Sequence, residues 1–510
     1  MTMFFRLSTT TAVAFLATAQ SVSAEVTSDD VWQNLQAYMG AFGGDVSAPY
    51  ERRGNDLHIG SITLNWTLPF DAGTIFLAQT GFALIGNDNG TVSISYPDEL
   101  VYTFNADIPE EGVFGGSIVM THGGLITTAS GMAGNVTYDF SADRLSFALA
   151  DVQLEGADNI QMDLTGEVND LAGTSTIAVA SLVSASADFT AGGQSYNGTL
   201  TDNDGVTSKF GGTTESLTSH SELTLPKSGT SILNLAAAMN KGMRLVASST
   251  MTGYRTQQTV TSDGELFSEQ LNTADTYDAR FELSKDRLLI DTAVNGSSAN
   301  VHMPELFPVP IALAMDTAAL HVAMPVSASD DLQDAKFELE ASGLTVAEQL
   351  WGLIDPAQQL PRDPATIRLN LTGEVKSFWN FFDFMEVAAR GQAGELPGEL
   401  HALTLNDLTI EAAGASLVGQ GAATFDNSDL QTYGGFPKPV GSLDMVLSGA
   451  NGLMDKLVAM GLLPEDQVVG ARMMMGMIAK PDPAAGDDVL KTHLELNEQG
   501  HMLANGMRLR

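Results

Sequence analysis

Apolar and polar residues alternate with a period of two along most of this chain, a pattern typical of half-buried β-strands. Val92, Ile94 and Tyr96 share one face of such a segment, and many later segments repeat the alternation. Short polar groups that tolerate positive φ separate the segments, as in the Asp-Asn-Asp-Gly at 202–205. Many consecutive strands joined by tight turns predict an antiparallel meander rather than alternating strands and helices.

Two of these segments resemble each other. Residues 139–149 and 282–291 each contain an apolar strand, a charged group that includes Asp-Arg-Leu, and a second apolar strand. The pattern predicts a hairpin at both places, with turns at 142–144 and 285–287.

Helical periodicity interrupts the strands at several places. Gly461 and Pro464 separate the last two helical segments, which is typical of a helical hairpin. The fold class predicted from these patterns is mainly β, a β-rich α+β protein, with long curved antiparallel meander sheets and a few helices packed on one face. The predicted helices cover residues 28–39, 231–246, 344–354, 378–390, 452–463 and 465–479.

The composition changes near residues 224–229, where a Gly-, Ser- and Thr-rich part gives way to mixed strands and helices. This change divides the chain into an N-terminal β-rich region, 25–225, and a C-terminal β-rich region with helices, 226–510. The two regions could also form one continuous unit.

The first 24 residues have the layout of a secretory signal peptide. Arg6 precedes an apolar stretch at 12–19, and the small residues Val22 and Ala24 form a cleavage site. The mature chain is expected to begin at Glu25 in the periplasm of a Gram-negative bacterium. No later segment reaches the roughly 20 apolar residues that a membrane span needs, so we expect no transmembrane anchor after cleavage.

The charge balance is strongly acidic, with 24 Lys and Arg against 62 Asp and Glu and a formal net charge of −38. Such a chain repels phosphate backbones and anionic membrane surfaces, which excludes nucleic acid as a partner. A solvated acidic surface that keeps the protein soluble explains the charge without any partner. The chain has no cysteine, so neither a disulfide nor a lipoprotein anchor is available.

Motifs for catalysis are absent from the sequence: it contains no G-x-S-x-G, no H-E-x-x-H and no phosphate-binding loop. The eight histidines are scattered, and none forms a helical i, i+4 pair that could begin a metal site. The sequence therefore predicts no catalytic residue, no metal, no cofactor and no enzyme.

Two soft apolar stretches are the candidates for ligand binding. The first, residues 378–384, is the most aromatic part of the chain, and as a helix it places Phe378, Phe381 and Phe382 on one face. The second is a methionine-rich stretch that includes Met473 and Met477. Either could grip a lipid tail or a partner helix, or could simply pack over the open face of a sheet.

One region resembles a known family. The segments LWGLIDP at 350–356, LPRDPA at 360–365 and LNLTG at 369–373 resemble the core of an alphaproteobacterial family known as domain of unknown function 2125. The resemblance is strongest from about residue 300 to 510, and it implies no established activity. The strand pattern also resembles the AsmA-like envelope proteins, whose long curved sheets carry an apolar groove and are associated with lipid movement. The chain differs from those proteins in having no transmembrane anchor.

The motif in this region has a structural role. Each of its prolines restricts the preceding aspartate to an extended conformation, so the helix around Trp351 must end and the chain must enter a strand. Arg362 is expected to pair with Asp355 or Asp363. The residues assigned to this structural motif are Trp351, Asp355, Pro356, Arg362, Asp363 and Pro364.

Three classes of function remain open after this reasoning. The first is a non-enzymatic periplasmic binder of an apolar or lipid ligand, such as an acyl chain, in a β-sheet groove. The second is a scaffold or assembly factor that meets another envelope protein through a sheet edge or the C-terminal helices. The third, a hydrolase of envelope polymers, has no motif to support it.

Overall fold

The computed structural model describes residues 25–68, 72–109, 112–154, 160–227, 230–307 and 309–510. The predicted signal peptide, residues 1–24, lies outside the described residues. Strands account for 60% of the chain and helices for 12%, which confirms the predicted mainly β class. One large antiparallel meander sheet holds the strands together.

The strands and helices are numbered in chain order. Strands β1 to β16 are Asp45–Ser47, Tyr50–Arg53, Asp56–Ile59, Ile62–Thr67, Thr74–Gln79, Ala83–Gly86, Val92–Ser95, Glu99–Ile108, Gly112–Gly123, Ile126–Met132, Asn135–Leu154, Gln161–Val179, Leu182–Ala191, Gln194–Thr201, Thr207–Thr214 and Ser216–Pro226. Strands β17 to β29 are Arg244–Ser262, Glu265–Leu283, Leu288–His302, Ile311–Met324, Gln333–Val346, Ala365–Ser377, Gly398–Ala412, Ala415–Asp426, Lys438–Ser448, Lys480–Pro481, Val489–Leu496, Met502–Ala504 and Met507–Arg508. Helices α1 to α6 are Ser28–Gly40, Leu235–Asn240, Glu348–Ile354, Phe384–Gln392, Ala450–Ala459 and Glu465–Ile478.

In the N-terminal half, the sheet consists of two rows of short strands that lie side by side. One row runs β2-β3-β6-β7-β10 and the other runs β1-β4-β5-β8-β9. Strand β11 is long enough to join both rows, because its first part pairs with β10 and its second part with β9. Strand β12 likewise pairs with β13 along one part of its length and with β14 along the other. Strand β13 then pairs with β16 and β14 pairs with β15, and both β15 and β16 pair with β17, where the two rows meet again.

The C-terminal half is a simple meander of long strands. From β17 to β25 each strand pairs with the next one in the chain, and β27, β28 and β29 follow. Strand β16 ends at Pro226 and pairs with both β13 and β17. The sheet is therefore continuous across the composition change at 225–226.

One of the two predicted hairpins is wrong. The turn at 285–287 is confirmed, because β18 ends at Leu283 and β19 begins at Leu288. Residues 142–144 instead lie inside the single strand β11, at the point where its partner changes from β10 to β9. The charged group marks this change of partner and not a reversal of the chain.

Several predicted helices are shorter than the sequence suggested. Residues 244–246 and 344–346 belong to β17 and β21, since their apolar side chains find cross-strand partners and pairing overrides helix propensity. Helix α4 begins only at Phe384, where the side chain of Asp383 accepts the backbone N–H of Glu386 at 3.0 Å. In the described part of the chain, no helix is both long and apolar enough to cross a bilayer.

The strand register separates an apolar face from a polar face, because directly opposed residues of neighbouring strands point to the same side. In the N-terminal half, helices α1 and α2 pack on the apolar face and close it into a core. Val31 of α1 and Leu57, Leu84 and Val92 of the sheet have no exposed surface. The hydroxyl of Tyr138 donates to Asn34 Oδ1 at 2.8 Å and fixes α1 in place, and burial raises the pKa of this phenol.

A crease of acid–glycine pairs begins on β17, where the two rows meet, and continues to β21 in the C-terminal half. Three glycines in the middle of long strands have φ near +60° to +71°, a region that favours glycine. A Cβ on any of them would overlap the acidic side chain of a neighbouring strand or connection. The pairs are Glu215 with Gly253, Asp275 with Gly296, and Asp316 with Gly343.

Candidate apolar binding site

An unbroken row of apolar residues crosses eleven strands on the apolar face. Each member lies directly opposite the next, so side chains from strands far apart in the sequence form one surface. The row runs Ala247, Phe281, Ile290, Val322, Phe337, Leu371, Leu405, Gly421, Leu443, Leu494 and Ala504.

This apolar surface is open in the C-terminal half. Phe337 and Leu339 are each 38% exposed, and Ile367 and Ile410 are 45% and 40% exposed. Such exposure of four large apolar side chains on one face differs from the N-terminal half, where helices cover the same face. Exposed apolar surfaces of this kind are a feature of protein–protein and membrane interaction sites and of ligand-binding grooves.

A pocket of about 320 Å³ lies on this face between β22 and β28. Leu371 lines it from β22 and Met502 lines it from β28. These strands are five spacings apart, about 24 Å in a flat sheet. A pocket of this size that contacts both strands indicates a curled sheet, and we describe the apolar face as the inside of a trough.

A second pocket of about 540 Å³ continues the apolar face between β17 and β21. Its lining includes Met251, Tyr277, Leu313 and Leu344, together with a few polar residues such as Asn272. We call the two pockets and the apolar row between them the trough. A third pocket, of about 440 Å³, lies beneath α1 in the covered N-terminal half and is separate from it.

The trough does not contain the side chains predicted to bind a ligand. Phe378, Phe381 and Phe382 precede α4 instead of forming its face, so the predicted helical stripe is wrong. Phe382 is half-buried against the N-terminal core. Met473 and Met477 lie on α6, which follows the end of β25 that is paired with the start of β24. The aromatic stretch follows the opposite end of β22, so the two groups lie at opposite ends of the strands.

The proline motif holds the entry to β22 as predicted, but with different partners. Asp355 is 0% exposed, and its carboxylate accepts the backbone N–H groups of Gln359 at 2.9 Å and Leu360 at 2.8 Å. Arg362 forms an ion pair with Glu348 and lies 5.5 Å from the centre of the Trp351 ring.

The predicted pairing of Arg362 with Asp355 or Asp363 is therefore wrong. Arg362 reaches only the backbone carbonyl of Asp355, at 3.4 Å, because the carboxylate is already used by two amides. Asp363, Pro356 and Pro364 are exposed beside this buried turn.

The polar face carries a second cross-strand row, made of the residues adjacent to the apolar row. Three of its members, on neighbouring strands, have the residue types of a hydrolase triad: Asp188, His220 and Ser248. His220 Nδ1 lies 2.7 Å from Asp188 Oδ1, but its Nε2 lies 3.6 Å from Glu222 Oε1. In the part of the chain that is described, Ser248 Oγ has no hydrogen bond to this ring. We call the whole row the polar ladder. It runs Asp188, His220, Ser248, Arg280, Asp291, His321, Glu338, Asn370 and Asp407.

The stability contributed by His220 should depend on pH. Its hydrogen bond to Asp188 raises the pKa of His220 above its usual 6.5, helped by the charge of Glu222. A raised pKa in the folded state means that the contribution is complete below about pH 6.5 and is lost as pH rises through the folded-state value.

We expect His220→Gln to lower the free energy of unfolding by at most about 1 kcal/mol at about pH 5.5, since the side chain is 40% exposed. At about pH 9 the difference should vanish. Urea unfolding at both pH values measures it, and an effect that is equal at both would exclude a charged His220.

No group of three or more His, Asp or Glu side chains that could hold a metal ion occurs among the described residues. The sequence predicted a groove in the sheet, but it identified neither the residues of the trough nor the polar ladder, because both depend on the register between strands. In the sequence, both surfaces are visible only as the alternation of apolar and polar residues within each strand.

Comparison with models of protein families gives a match. A family model described as "Uncharacterized protein conserved in bacteria (DUF2125)" matches residues 234–509, more than half of the chain. The matched part begins just before α2 and includes every strand that lines the trough. No curated protein matches the chain.

Proposed function

The chain belongs to the DUF2125 family of uncharacterised bacterial proteins, and on that premise we propose that it binds an acyl chain of a lipid in the trough, without catalysis, in the periplasm. The observation that carries the proposal is the unbroken apolar row that lies open between β20 and β28. Contact between this apolar surface and water is unfavourable, and covering the surface with a hydrocarbon chain removes that cost.

The lining of the trough favours a hydrocarbon chain over a polar ligand. The pocket between β22 and β28 is lined by Leu, Met, Ala and Gly, with Ser442 as the single polar residue. Burial of about ten methylene groups would contribute about 8 kcal/mol before the costs of association. Gly421 and Gly441 leave room along the floor between the leucines.

The proposed compartment rests on the signal peptide pattern at residues 1–24. An exported protein with an open apolar trough would meet lipids from the surrounding membranes. The resemblance of the strand pattern to AsmA-like proteins, which are associated with lipid movement, supports the same proposal.

A scaffold that recruits another envelope protein by strand addition is less well supported. Among the described residues, the strands at the free edges of the sheet are short: β1 has three residues, β2 has four, and β26 and β29 have two each. Strand β2 also carries Glu51, Arg52 and Arg53. Short charged edges disfavour pairing with another chain.

The test is lipid analysis by mass spectrometry of the mature protein, purified from its own periplasm without detergent. We expect about one acyl lipid per chain and at least about tenfold less after Leu443→Glu, because a carboxylate in the apolar trough must be desolvated. Val418→Glu is the matched control, since Val418 lies on the neighbouring strand, is 38% exposed and faces the polar side.

The variants must keep the melting temperature of the parent protein within a few degrees for the comparison to count. A folded parent protein that carries no lipid and binds no fluorescent fatty acid would refute the proposal. Equal loss of lipid in both variants would show that the lipid is bound elsewhere.

A further inference from the structure

The cavity beneath α1, of about 440 Å³, lies where the two rows of the N-terminal half meet. Tyr96 lines it from the connection between β7 and β8, and Leu125 lines it from the connection between β9 and β10. Strands β7 and β10 pair in one row and β8 and β9 pair in the other, so both connections pass between the rows. Leu35 and Tyr38 cover the space from α1. The crossing of the chain between the rows therefore creates the cavity.

The size and burial of this cavity are those of a ligand site. A water molecule takes about 30 Å³ of liquid, and voids larger than one water are few in a protein interior. Leu100, Ile94 and Ile177 line the cavity and are only 2%, 6% and 6% exposed, so the space lies against the core. Small-molecule pockets have volumes of about 300–1,000 Å³, and this cavity falls within that range.

Aromatic rings form much of the cavity wall. Six of its eighteen lining residues are aromatic, whereas none of the described residues that line the pocket between β22 and β28 is. The rings of Phe82 and Tyr96 already pack against each other with their centres 5.9 Å apart. Because aromatic rings pack well against further rings, the wall favours a compact ring compound over an acyl chain. The six residues are Tyr38, Phe82, Tyr96, Tyr102, Tyr138 and Phe140.

Two polar side chains of the cavity have unused hydrogen-bonding capacity. Tyr102 of β8 lies directly opposite Gln79 of β5, and both line the cavity. In the part of the chain that the structure describes, neither the Tyr102 hydroxyl nor the Gln79 side-chain amide has a hydrogen-bond partner. Tyr96 and Tyr138 differ, since their hydroxyls bond to Thr127 and to Asn34. The phenol of Tyr102 and the amide of Gln79 can therefore both donate to a ligand.

The acceptor on the ligand should carry no charge. No charged side chain occurs among the described residues that line the cavity. A carboxylate bound there would lose its water without meeting a cation, which is unfavourable. Burial raises the pKa of Tyr102 above its usual 10.0, so this phenol stays protonated and donates. A carbonyl oxygen meets these conditions, because it accepts two hydrogen bonds and is neutral.

We propose that this cavity binds a small uncharged aromatic ketone, whose rings pack among the aromatic side chains and whose carbonyl oxygen accepts from Tyr102 and Gln79. The site lies before residues 234–509, which the family model matches. It does not depend on the lipid proposed for the trough, because the two spaces are separate.

A matched pair of probes tests the proposal. Benzophenone has a carbonyl group between two phenyl rings, and diphenylmethane has a methylene group in the same place. By equilibrium dialysis with the mature protein, we expect benzophenone to bind with a dissociation constant between about 10 and 100 µM. Diphenylmethane should bind at least about fivefold more weakly, because it cannot accept the two hydrogen bonds.

Variants assign the preference to the two donors. Tyr102→Phe keeps the ring and removes the hydroxyl, so it should weaken benzophenone binding about threefold or more and leave diphenylmethane binding unchanged. Unchanged binding of diphenylmethane also shows that the variant keeps the cavity. Adding Gln79→Leu should make the two probes bind alike. Tyr196→Phe is the matched control: Tyr196 is 36% exposed on β14, and the preference for benzophenone should persist.

The position of the bound probe is measured with light. Irradiated benzophenone takes a hydrogen atom from a nearby C–H group, and the two radicals join in a new C–C bond. Mass spectrometry of the digested protein should find the label between residues 35 and 177, which contain the whole lining of the cavity.

Three results would overturn the proposal. One is the absence of saturable benzophenone binding up to about 300 µM. Another is equal affinity of the parent protein for benzophenone and diphenylmethane. The third is a label confined to β17–β28, which would show that the probe binds in the trough.

Discussion

Asp355→Ala is expected to lower the free energy of unfolding by about 3 kcal/mol or more. The wild-type carboxylate has no exposed surface and accepts two backbone N–H groups, those of Gln359 and Leu360. Without it, the partly buried amide of Gln359 and the buried amide of Leu360 lose their acceptor, and each unpaired buried group costs about 1–3 kcal/mol. A small cavity adds to the loss.

Asp363→Ala is a closely matched control, because both aspartates precede a proline in the same motif. Asp363 is exposed, so its replacement should change the free energy of unfolding by no more than about 0.5 kcal/mol. Urea unfolding measures both variants. Equal effects for the two would show that the buried turn does not depend on the carboxylate of Asp355.

Gly296→Ala is expected to destabilise the protein by about 2–4 kcal/mol. The backbone of Gly296 has φ of 60°, which costs an L-residue about 1–2 kcal/mol. The new Cβ would also overlap the carboxylate of Asp275 and force that side chain to move. Gly343 against Asp316 repeats the arrangement two strands further on, so Gly343→Ala should behave alike.

A double variant separates the steric overlap from the backbone strain. Combining Gly296→Ala with Asp275→Ala should recover the steric part of the loss and leave the backbone part. Gly391→Ala is the control for the substitution itself: Gly391 lies in α4, a Cβ there meets nothing within 4 Å, and alanine favours a helix by up to about 1 kcal/mol. If thermal unfolding shows no loss of stability for Gly296→Ala, the fold does not require the crease.

The mainly β class could be predicted because it depends on local alternation. Val92 and Ile94 were assigned to one face, and both are buried there. The sequence also contains a signal for the start of α4, since Asp383 lies three residues before Glu386, which is the spacing of a helix cap. The aromatic residues before it masked that signal.

The course of β11 and the trough could not be predicted in the same way. Whether residues 142–144 turn or continue depends on which strands are available on either side, and that is decided by distant segments. The meeting of the trough leucines in one row depends on the register shifts within β22–β23 and β23–β24. A single-residue change in register would move a whole strand to the other face.

The partners of the proline motif were missed for a further reason. Charge alone made Asp355 the natural partner of Arg362, but hydrogen bonds to two amides occupy that carboxylate. Glu348, one turn before Trp351 on α3, is left to accept the guanidinium. Competition between backbone and side-chain donors is settled only in three dimensions.

The pairing of the C-terminal strands has a consequence for how the molecule opens. Strands β18 to β24 each pair only with the strands before and after them in the chain, whereas β11, β12 and β17 each pair with three. Stability in such a series is a sum of neighbouring contacts, as in repeat proteins. We therefore expect amide hydrogen exchange to become slower from β27 back towards β17, with the last strands fraying in steps while the two-row half stays closed.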